Sequence, residues 1–507
     1  MPHIHLINNT RRGENKETLK MKVRISKEAE VVEEQPLSPM AHVFQSPEVD
    51  YCGVTIMGFK TKFCPDVLLD ALRHNVFKHP RFSAKLSEDG AKWIETRVNV
   101  EDHVVVPNID PKEIGEDGQG FVDDYISRLT TIPLDRSRPL WDMHILNVKT
   151  SDAEAVGVIR SHHSLGDGMS MISLILACTH KTADPDNTTI PSLKRRETVS
   201  HGLRNQGWFL RLIFTVGSAT RLLWNTFVDV VLLFATILFL KDTKTPLKGG
   251  ADVGRNPTRF YRRTISLDDI KLLKNSMNMT INDVLLGITQ AALSRYLNRL
   301  YGKNYEEENR ALTSNQNHLP RKLRFRAGCT VNLRPDIGFK PLADMMAKDS
   351  KCRWGNYFSF IFLPFSISLQ TDPLVYLKIS KSMMARKKHS YHAEIVYFII
   401  KSVLKVFGAK AAATIFNRPE VNLTTCVSNN IGPMEEISFR GHPIAYIAPS
   451  NYGQSQALLV HYISYADKMI ISLAVDPTII PDPHKICDDM EESLKAMKAA
   501  LLERGLL

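Results

Sequence analysis

The stretch WFLRLIFTVGSATRLLWNTFVDVVLLFATILFL, Trp208 to Leu240, limits how this chain can fold. It is the most apolar part of the 507 residues, and a run of this kind must be covered by protein or by lipid. Arg211, Arg221 and Asp229 interrupt it, and its uncharged end, Val230 to Leu240, is too short to span a bilayer. The pattern predicts a membrane-embedded or interfacial helix pair. Trp208 and Trp224 would lie near the headgroups, with Lys241, Lys244 and Lys248 at the polar edge. The competing reading is a buried helix of a soluble core. A single crossing would put the sequence before the segment and the sequence after it on opposite sides of the bilayer. A site shared by the two halves therefore requires an even number of crossings, or none.

Two mixed α/β regions flank the segment. Residues 1–35 are polar, carry no apolar signal run, and read as a flexible leader. Residues 36–182 alternate helix-like pieces such as DVLLDALRHNVFKHP with strand-like pieces such as WDMHILNV and EAVGVIRSHH. Residues 183–255 hold a linker, rich in Pro, Asn, Thr and charge up to 207, and then the apolar segment at 208–240. In 256–507, INDVLLGITQAALSRYLNRLYG reads as a helix and ALLVHYISYADKMIISLAVD as a β-hairpin. Asp482 and Pro483 open a last helix that stops at Gly505. Each region has strands enough for a sheet. Ile395–Phe416 is a further apolar helix carrying Lys401, Lys405 and Lys410, suited either to a membrane face or to the core.

The net charge of +11 suits an anionic partner, but no nucleic-acid motif accompanies it. The seven cysteines are scattered with no CxxC, which reads as free thiols in a reducing compartment.

The candidate chemistry lies in SHHSLGDGMS, Ser161 to Ser170. Successive side chains on a strand point to opposite faces, so His162 and His163 do not readily bind one ion, and no metal is expected. A neutral imidazole at a strand end suits general-base catalysis. Gly166 and Gly168 permit a sharp turn that brings Asp167 back beside the strand end, where it can orient the turn through a hydrogen bond or an ion pair with an arginine. Taken alone, the stretch is equally a glycine turn with two incidental histidines.

Upstream stands PLDRSRPLW, Pro133 to Trp141. HHxxxDG preceded by this motif resembles the acyltransferase superfamily of chloramphenicol acetyltransferase, BAHD enzymes, peptide-synthetase condensation domains and wax ester synthase/diacylglycerol acyltransferases. TINDVLLG (Thr280–Gly287), VNLRP (Val331–Pro335), GNYFSFIFLPF (Gly355–Phe365) and SNNIGP (Ser428–Pro433) are similar to motifs of the last of these. PLSPMAHVF and KHPRFS look like its plant bifunctional branch, and the BAHD motif DFGWG is absent. The resemblance runs from about residue 36 to the C-terminus.

The resemblance implies an α/β fold of two similar chloramphenicol-acetyltransferase-like domains with an interdomain tunnel. It implies His163 as general base, taking a proton from an alcohol as the oxygen attacks the thioester of an acyl-CoA. His162, Asp167 and Gly168 would support that motif. Pro139, Leu140 and Trp141 would be architectural. Asn282 and Asp283 either touch substrate or only start a helix, and Asn332 and Arg334 either supply hydrogen bonds at the tunnel or shape a strand end. No cofactor is implied beyond acyl-CoA as co-substrate. The acceptors would be a fatty alcohol or diacylglycerol, at the endoplasmic reticulum membrane with a cytosolic site, and also at the plasma membrane. The sequons at Asn187, Asn278 and Asn422 would then stay unglycosylated. An acyltransferase for a smaller soluble alcohol or amine, and a non-catalytic lipid-binding relative, are the alternatives.

Overall fold

In the computed structural model, residues 35–75, 79–115, 118–183, 208–250, 252–308, 317–335, 342–346, 350 and 352–506 are described. The leader to residue 34, Lys78 of KHPRFS, the 184–207 part of the linker and Asn187 lie outside them.

Before the apolar segment come α1 (Pro39–Phe44), β1 (Cys52–Phe59), β2 (Val104–Val105), β3 (Trp141–Leu146), β4 (Ala155–His162), α2 (Gly168–Ala177) and β5 (His180–Lys181). The segment itself is α3 (Trp208–Leu238). After it come β6 (Arg259–Ser266), α4 (Ile281–Glu308), β7 (Arg326–Asn332), β8 (Phe358–Pro364), α5 (Leu374–Lys388) and α6 (His392–Asn422). The chain ends with β9 (Thr425–Asn430), β10 (Ile437–Phe439), β11 (His442–Tyr452), β12 (Leu458–Tyr465), β13 (Lys468–Val475) and α7 (Pro483–Glu503).

These strands build a seven-stranded sheet, in the order β2-β3-β4-β1-β11-β10-β5, and a six-stranded sheet, in the order β8-β7-β9-β12-β13-β6. β12 and β13 pair antiparallel from Leu458↔Val475 to Tyr465↔Lys468, the hairpin that the alternating pattern predicts. β10 and β11 leave the second half and join the first sheet. β11 pairs β1 antiparallel through Asn451↔Gly53, and β10 pairs β5 through Ile437↔Lys181. The two sheets therefore do not divide the sequence at one point, and each half is bound into the other by backbone hydrogen bonds.

That exchange fixes the topology of the apolar segment. β5 precedes it and β10 follows it, yet they are neighbours in one sheet, so the chain before the segment and the chain after it belong to one folded body and cannot be parted by a single crossing.

The segment corrects two sequence expectations. It is one unbroken helix rather than a helix pair. It is also not a core helix, because most of its large apolar side chains are exposed, with Leu223, Trp224 and Phe227 at 68%, 64% and 60%. Its buried stripe is polar: Asn225, Asp229 and Thr236 at i, i+4 and i+11, with Leu233 between. Asp229 accepts from Arg386 (2.7 Å) and Lys387 (2.8 Å) at the end of α5. Asn225 donates to the His389 carbonyl, and Thr236 accepts from Arg326 (2.6 Å). A helix on a water-facing surface carries the reverse arrangement. Lys241 and Lys244 are exposed beyond its end, whereas Lys248 is half-buried and donates to the Asn422 carbonyl at 2.8 Å.

Candidate active site

β4 delivers the histidines. It runs antiparallel to β1 with His162 opposite Cys52, and the strand breaks into a short 3-10 turn, His163–Leu165. Asp167 then caps α2, accepting from Ser170 N at 3.0 Å. The alternation of a strand puts the two histidines to different uses.

His162 is buried and serves the scaffold. Its Nε2–H donates to Asp50 Oδ1 (2.9 Å), and its Nδ1 accepts from the Ser164 hydroxyl (2.7 Å). Arg136 donates to the same Asp50 oxygen (3.1 Å), and the hydrogen bond from His162 draws the Asp50 carboxyl below its ordinary pKa.

His163 faces a cavity of about 330 Å³. Its Nδ1–H donates to Asn356 Oδ1 at 3.2 Å, and Asn356 Nδ2 donates back to the His163 carbonyl at 2.8 Å. Asn356 is fully buried, so this reciprocal pair fixes the ring and its tautomer and leaves Nε2 unprotonated toward the cavity. Phe44 packs against the imidazole at a tilt, with ring centroids 4.4 Å apart, and Phe358 lies at 5.6 Å. Burial holds the His163 pKa below 6.5, which keeps the imidazole neutral and basic near pH 7.

Both sheets line the cavity. Gly53, Ser161 and Asn451 come from adjacent strands of the first sheet, and Thr330, Ser428 and His461 from the second. His461 is buried and hydrogen-bonded to the Ser450 hydroxyl (3.2 Å), and burial pushes its pKa down to about 4. Neither Asn356 nor His461 is marked as functional by any local sequence pattern. Asn356 lies in GNYFSFIFLPF, a motif dominated by its apolar strand, and only the fold shows that this amide is buried against His163.

Asp167 and Arg334 form a buried ion pair between the halves. Arg334 donates to both carboxylate oxygens (2.7 and 3.1 Å) and to the Gly355 carbonyl (2.9 Å). Tyr357 N adds a fourth bond to Asp167, beside those from Ser170 N and Arg334. Asn332 turns back to accept from Arg334 N (3.1 Å). A Cβ on Gly168 would meet Asn430 Oδ1 at 3.0 Å, so the glycine permits close approach of the two halves. His163, Asp167, Gly168, Asn332 and Arg334 thus meet at one cavity.

The other expected residues lie around it. Asp283 and Thr280 cap α4 reciprocally, with Thr280 N donating to Asp283 and Asp283 N to the Thr280 hydroxyl. Asn282 accepts from Asn429, a residue of the cavity wall, at 2.5 Å. Pro139 precedes the buried Leu140 and Trp141. Trp141 donates from Nε1 to the Phe82 carbonyl and lines a separate apolar cavity of about 70 Å³. That cavity adjoins the first through the shared residues Thr55, Ser161 and Met171.

Comparison with known proteins settles the family. Residues 63–285 match the wax ester synthase/diacylglycerol acyltransferase catalytic domain, and residues 354–498 match the WS/DGAT C-terminal domain. Wax ester synthase/diacylglycerol acyltransferase 7 of Arabidopsis thaliana is 77% identical over 477 residues, covering 94% of this chain and 99% of that protein. The chain belongs to the wax ester synthase/diacylglycerol acyltransferase family. A more distant Arabidopsis member, numbered 4, is 48% identical over 94% of this chain and 92% of its own length. Among solved structures, the family member from Marinobacter aquaeolei VT8 has a TM-score of 0.55 at 19% identity, covering 93% of this chain and 100% of that one. The EpoB cyclization-docking bidomain of Sorangium cellulosum scores 0.53 at 13% identity, covering 96% and 89%. The two-domain α/β acyltransferase fold implied by the sequence motifs is therefore the fold observed, and its central cavity lies between the two sheets.

Proposed function

We propose that the chain transfers the acyl group of an acyl-CoA to the hydroxyl of a fatty alcohol or of diacylglycerol, giving a wax ester or triacylglycerol and free CoA, with His163 as general base. The reading rests on one observation above all: an imidazole whose Nδ1–H is committed to Asn356 while Nε2 faces a cavity shared by both halves.

In this mechanism Nε2 of His163 takes the hydroxyl proton as the alcohol oxygen attacks the thioester carbonyl carbon. The tetrahedral intermediate collapses with breakage of the carbon–sulfur bond, and the imidazolium returns its proton to the departing thiolate. No protein nucleophile takes part. Burial pushes the Cys329 and Cys487 thiols up to about 12, so neither supplies a thiolate at neutral pH. The acyl chain finds apolar walls in the adjoining cavity lined by Met57, Phe59, Trp141 and Leu174. The Asp167–Arg334 pair acts at one remove, holding the turn and the second half in register.

The membrane reading rests on α3. Its 212–238 portion is long and apolar enough to cross a bilayer, but its polar stripe is bonded to the protein, and strands from before and after it share one sheet. Such a helix lies along an interface with its apolar face in lipid. Exposed Phe398, Val406 and Phe407 of α6, interspersed with Lys401 and Lys405, extend the surface with charges suited to anionic headgroups. We assign the surface to the cytosolic face of the endoplasmic reticulum, a reducing compartment that suits seven unpaired thiols.

The test is an ester-forming assay on microsomes from a yeast host lacking storage lipid, with labelled palmitoyl-CoA offered beside hexadecanol or diacylglycerol. Labelled wax ester or triacylglycerol is expected, and the lipid class identifies the acceptor. No ester with either acceptor would overturn the proposal.

A further inference from the structure

α3, α6 and β8 enclose a narrow apolar slot that shares no lining residue with the cavities at His163 and Trp141. Its walls are Leu233 and Ile237 of α3, Val396 and Ile400 of α6, and Phe360 and Phe362 of β8. The outer faces of the same two helices carry the exposed apolar side chains. From the slot, rings lead inward in contact: Phe360 to Phe416 (5.5 Å), Phe416 to Phe44 (5.8 Å), and Phe44 to the His163 imidazole (4.4 Å). A second series passes through Phe358, 5.4 Å from Phe360 and 5.6 Å from His163. Aromatic side chains in contact thus link the slot to the His163 imidazole.

We propose that this slot is the binding site and entry path for the alkyl chain of the lipid acceptor, which passes sideways from the bilayer between α3 and α6 to reach His163. The inference rests on the acyltransferase reading and adds a route for its second substrate. The physical reason is the cost of exposing every CH₂ of an alkyl chain to water, which for a long chain forbids a route through solvent. An acyl-CoA in the cavity and its apolar branch would leave the ring-lined side of the imidazole to the acceptor.

As it stands the slot is closed, about 20 Å³, no more than the space of a water or so. α6 carries the means of opening it. The helix is broken at Gly408 (φ +81°, ψ 179°), where a Cβ would meet nothing within 4 Å. Val396 and Ile400 stand on one leg and Phe416 on the other, so a change of angle at Gly408 parts the walls. Deeper in stands Glu420, a buried carboxyl that accepts from Gln456 Nε2 at 2.6 Å. Gln456 Oε1 has no partner among the described residues, which leaves an acceptor for a passing hydroxyl.

The direct test is photolabelling of the full-length protein in phosphatidylcholine vesicles with hexadecanol carrying a diazirine in mid-chain. Adducts are expected on the peptides bearing Val396, Ile400 and Phe416. Adducts confined to the solvent-reached cavity, around Met169 and Ile172, or to the outer face of α3, would overturn the proposal. Labelling needs no turnover, so a wild type that makes no ester would count against the acyltransferase reading and not against the path. A kinetic arm uses Val396→Trp. The ratio of kcat/KM for hexadecanol to that for hexanol is expected to fall at least tenfold relative to wild type. An unchanged ratio contradicts the path.

Discussion

At the scale of single residues, the proposed chemistry depends on a neutral imidazole held at one tautomer. Asn356 does the holding without touching substrate, so its substitution should act through His163. Asn356→Leu removes the partner of Nδ1–H and is expected to lower kcat by about 10–100-fold with little change in KM for acyl-CoA. Asn356→Asp tests the role more sharply, because a carboxylate beside Nδ1–H stabilises the imidazolium. The acid limb of kcat/KM, which lies below pH 6.5 in the wild type because burial disfavours the charged ring, should move upward. An unmoved limb would mean that Asn356 is mere packing. The histidine pair itself is readable from sequence, since strand alternation separates His162 from His163. Their partners are not. Asp50, Asn356 and Arg334 are brought to the turn from 112, 193 and 167 residues away, and no local pattern records such distances.

At the scale of elements, the informative case is α3. Its composition signals lipid contact, yet in the sequence Asp229 reads as an interruption of the apolar run. In the fold it is the anchor, meeting Arg386 and Lys387 on α5 with its side chain fully buried. Asp229→Ala strands Lys387, itself 5% exposed, and is expected to cost about 3–5 kcal/mol of stability, read by urea unfolding in detergent. A loss under 1 kcal/mol would mean that α3 is held by its apolar contacts instead. Local signals suffice for other elements: the β12–β13 hairpin, the Thr280–Asp283 cap, the α7 start at Pro483. The insertion of β10 and β11 into the first sheet has no such signal, because a strand does not encode which sheet it joins. Asn422 makes a related point. Its sequon is intact, but its side chain is buried and donates to the Thr236 carbonyl at 2.6 Å, so the folded chain has no room for a glycan there.

At the scale of the whole molecule, the two sheets share one cavity and several buried titratable groups, and this sets the response to acid. His79 and His461 are pushed down by burial to about 3 and about 4, and His163 is lowered as well. Each stays neutral in the fold and takes a proton only when unfolded, so stability present above pH 6.5 is lost as pH falls toward 4. The slope is about 1.4 kcal/mol per pH unit for each histidine. Glu420 opposes it: burial raises its pKa to about 7, so its contribution is full below the ordinary carboxyl range and fades as pH rises through 7. The histidines outnumber it, and Tm should fall between pH 6.5 and 4.5, less steeply in His461→Gln than in wild type. Equal slopes would contradict the assignment of His461 as a buried neutral group. The central claim is that both halves converge on one base, and the most direct measurement is the initial rate of ester formation from palmitoyl-CoA and hexadecanol by His163→Ala at matched membrane abundance and Tm. A loss of about 10²–10⁴ is expected, whereas a rate within a few-fold of wild type would mean that the chemistry is done elsewhere.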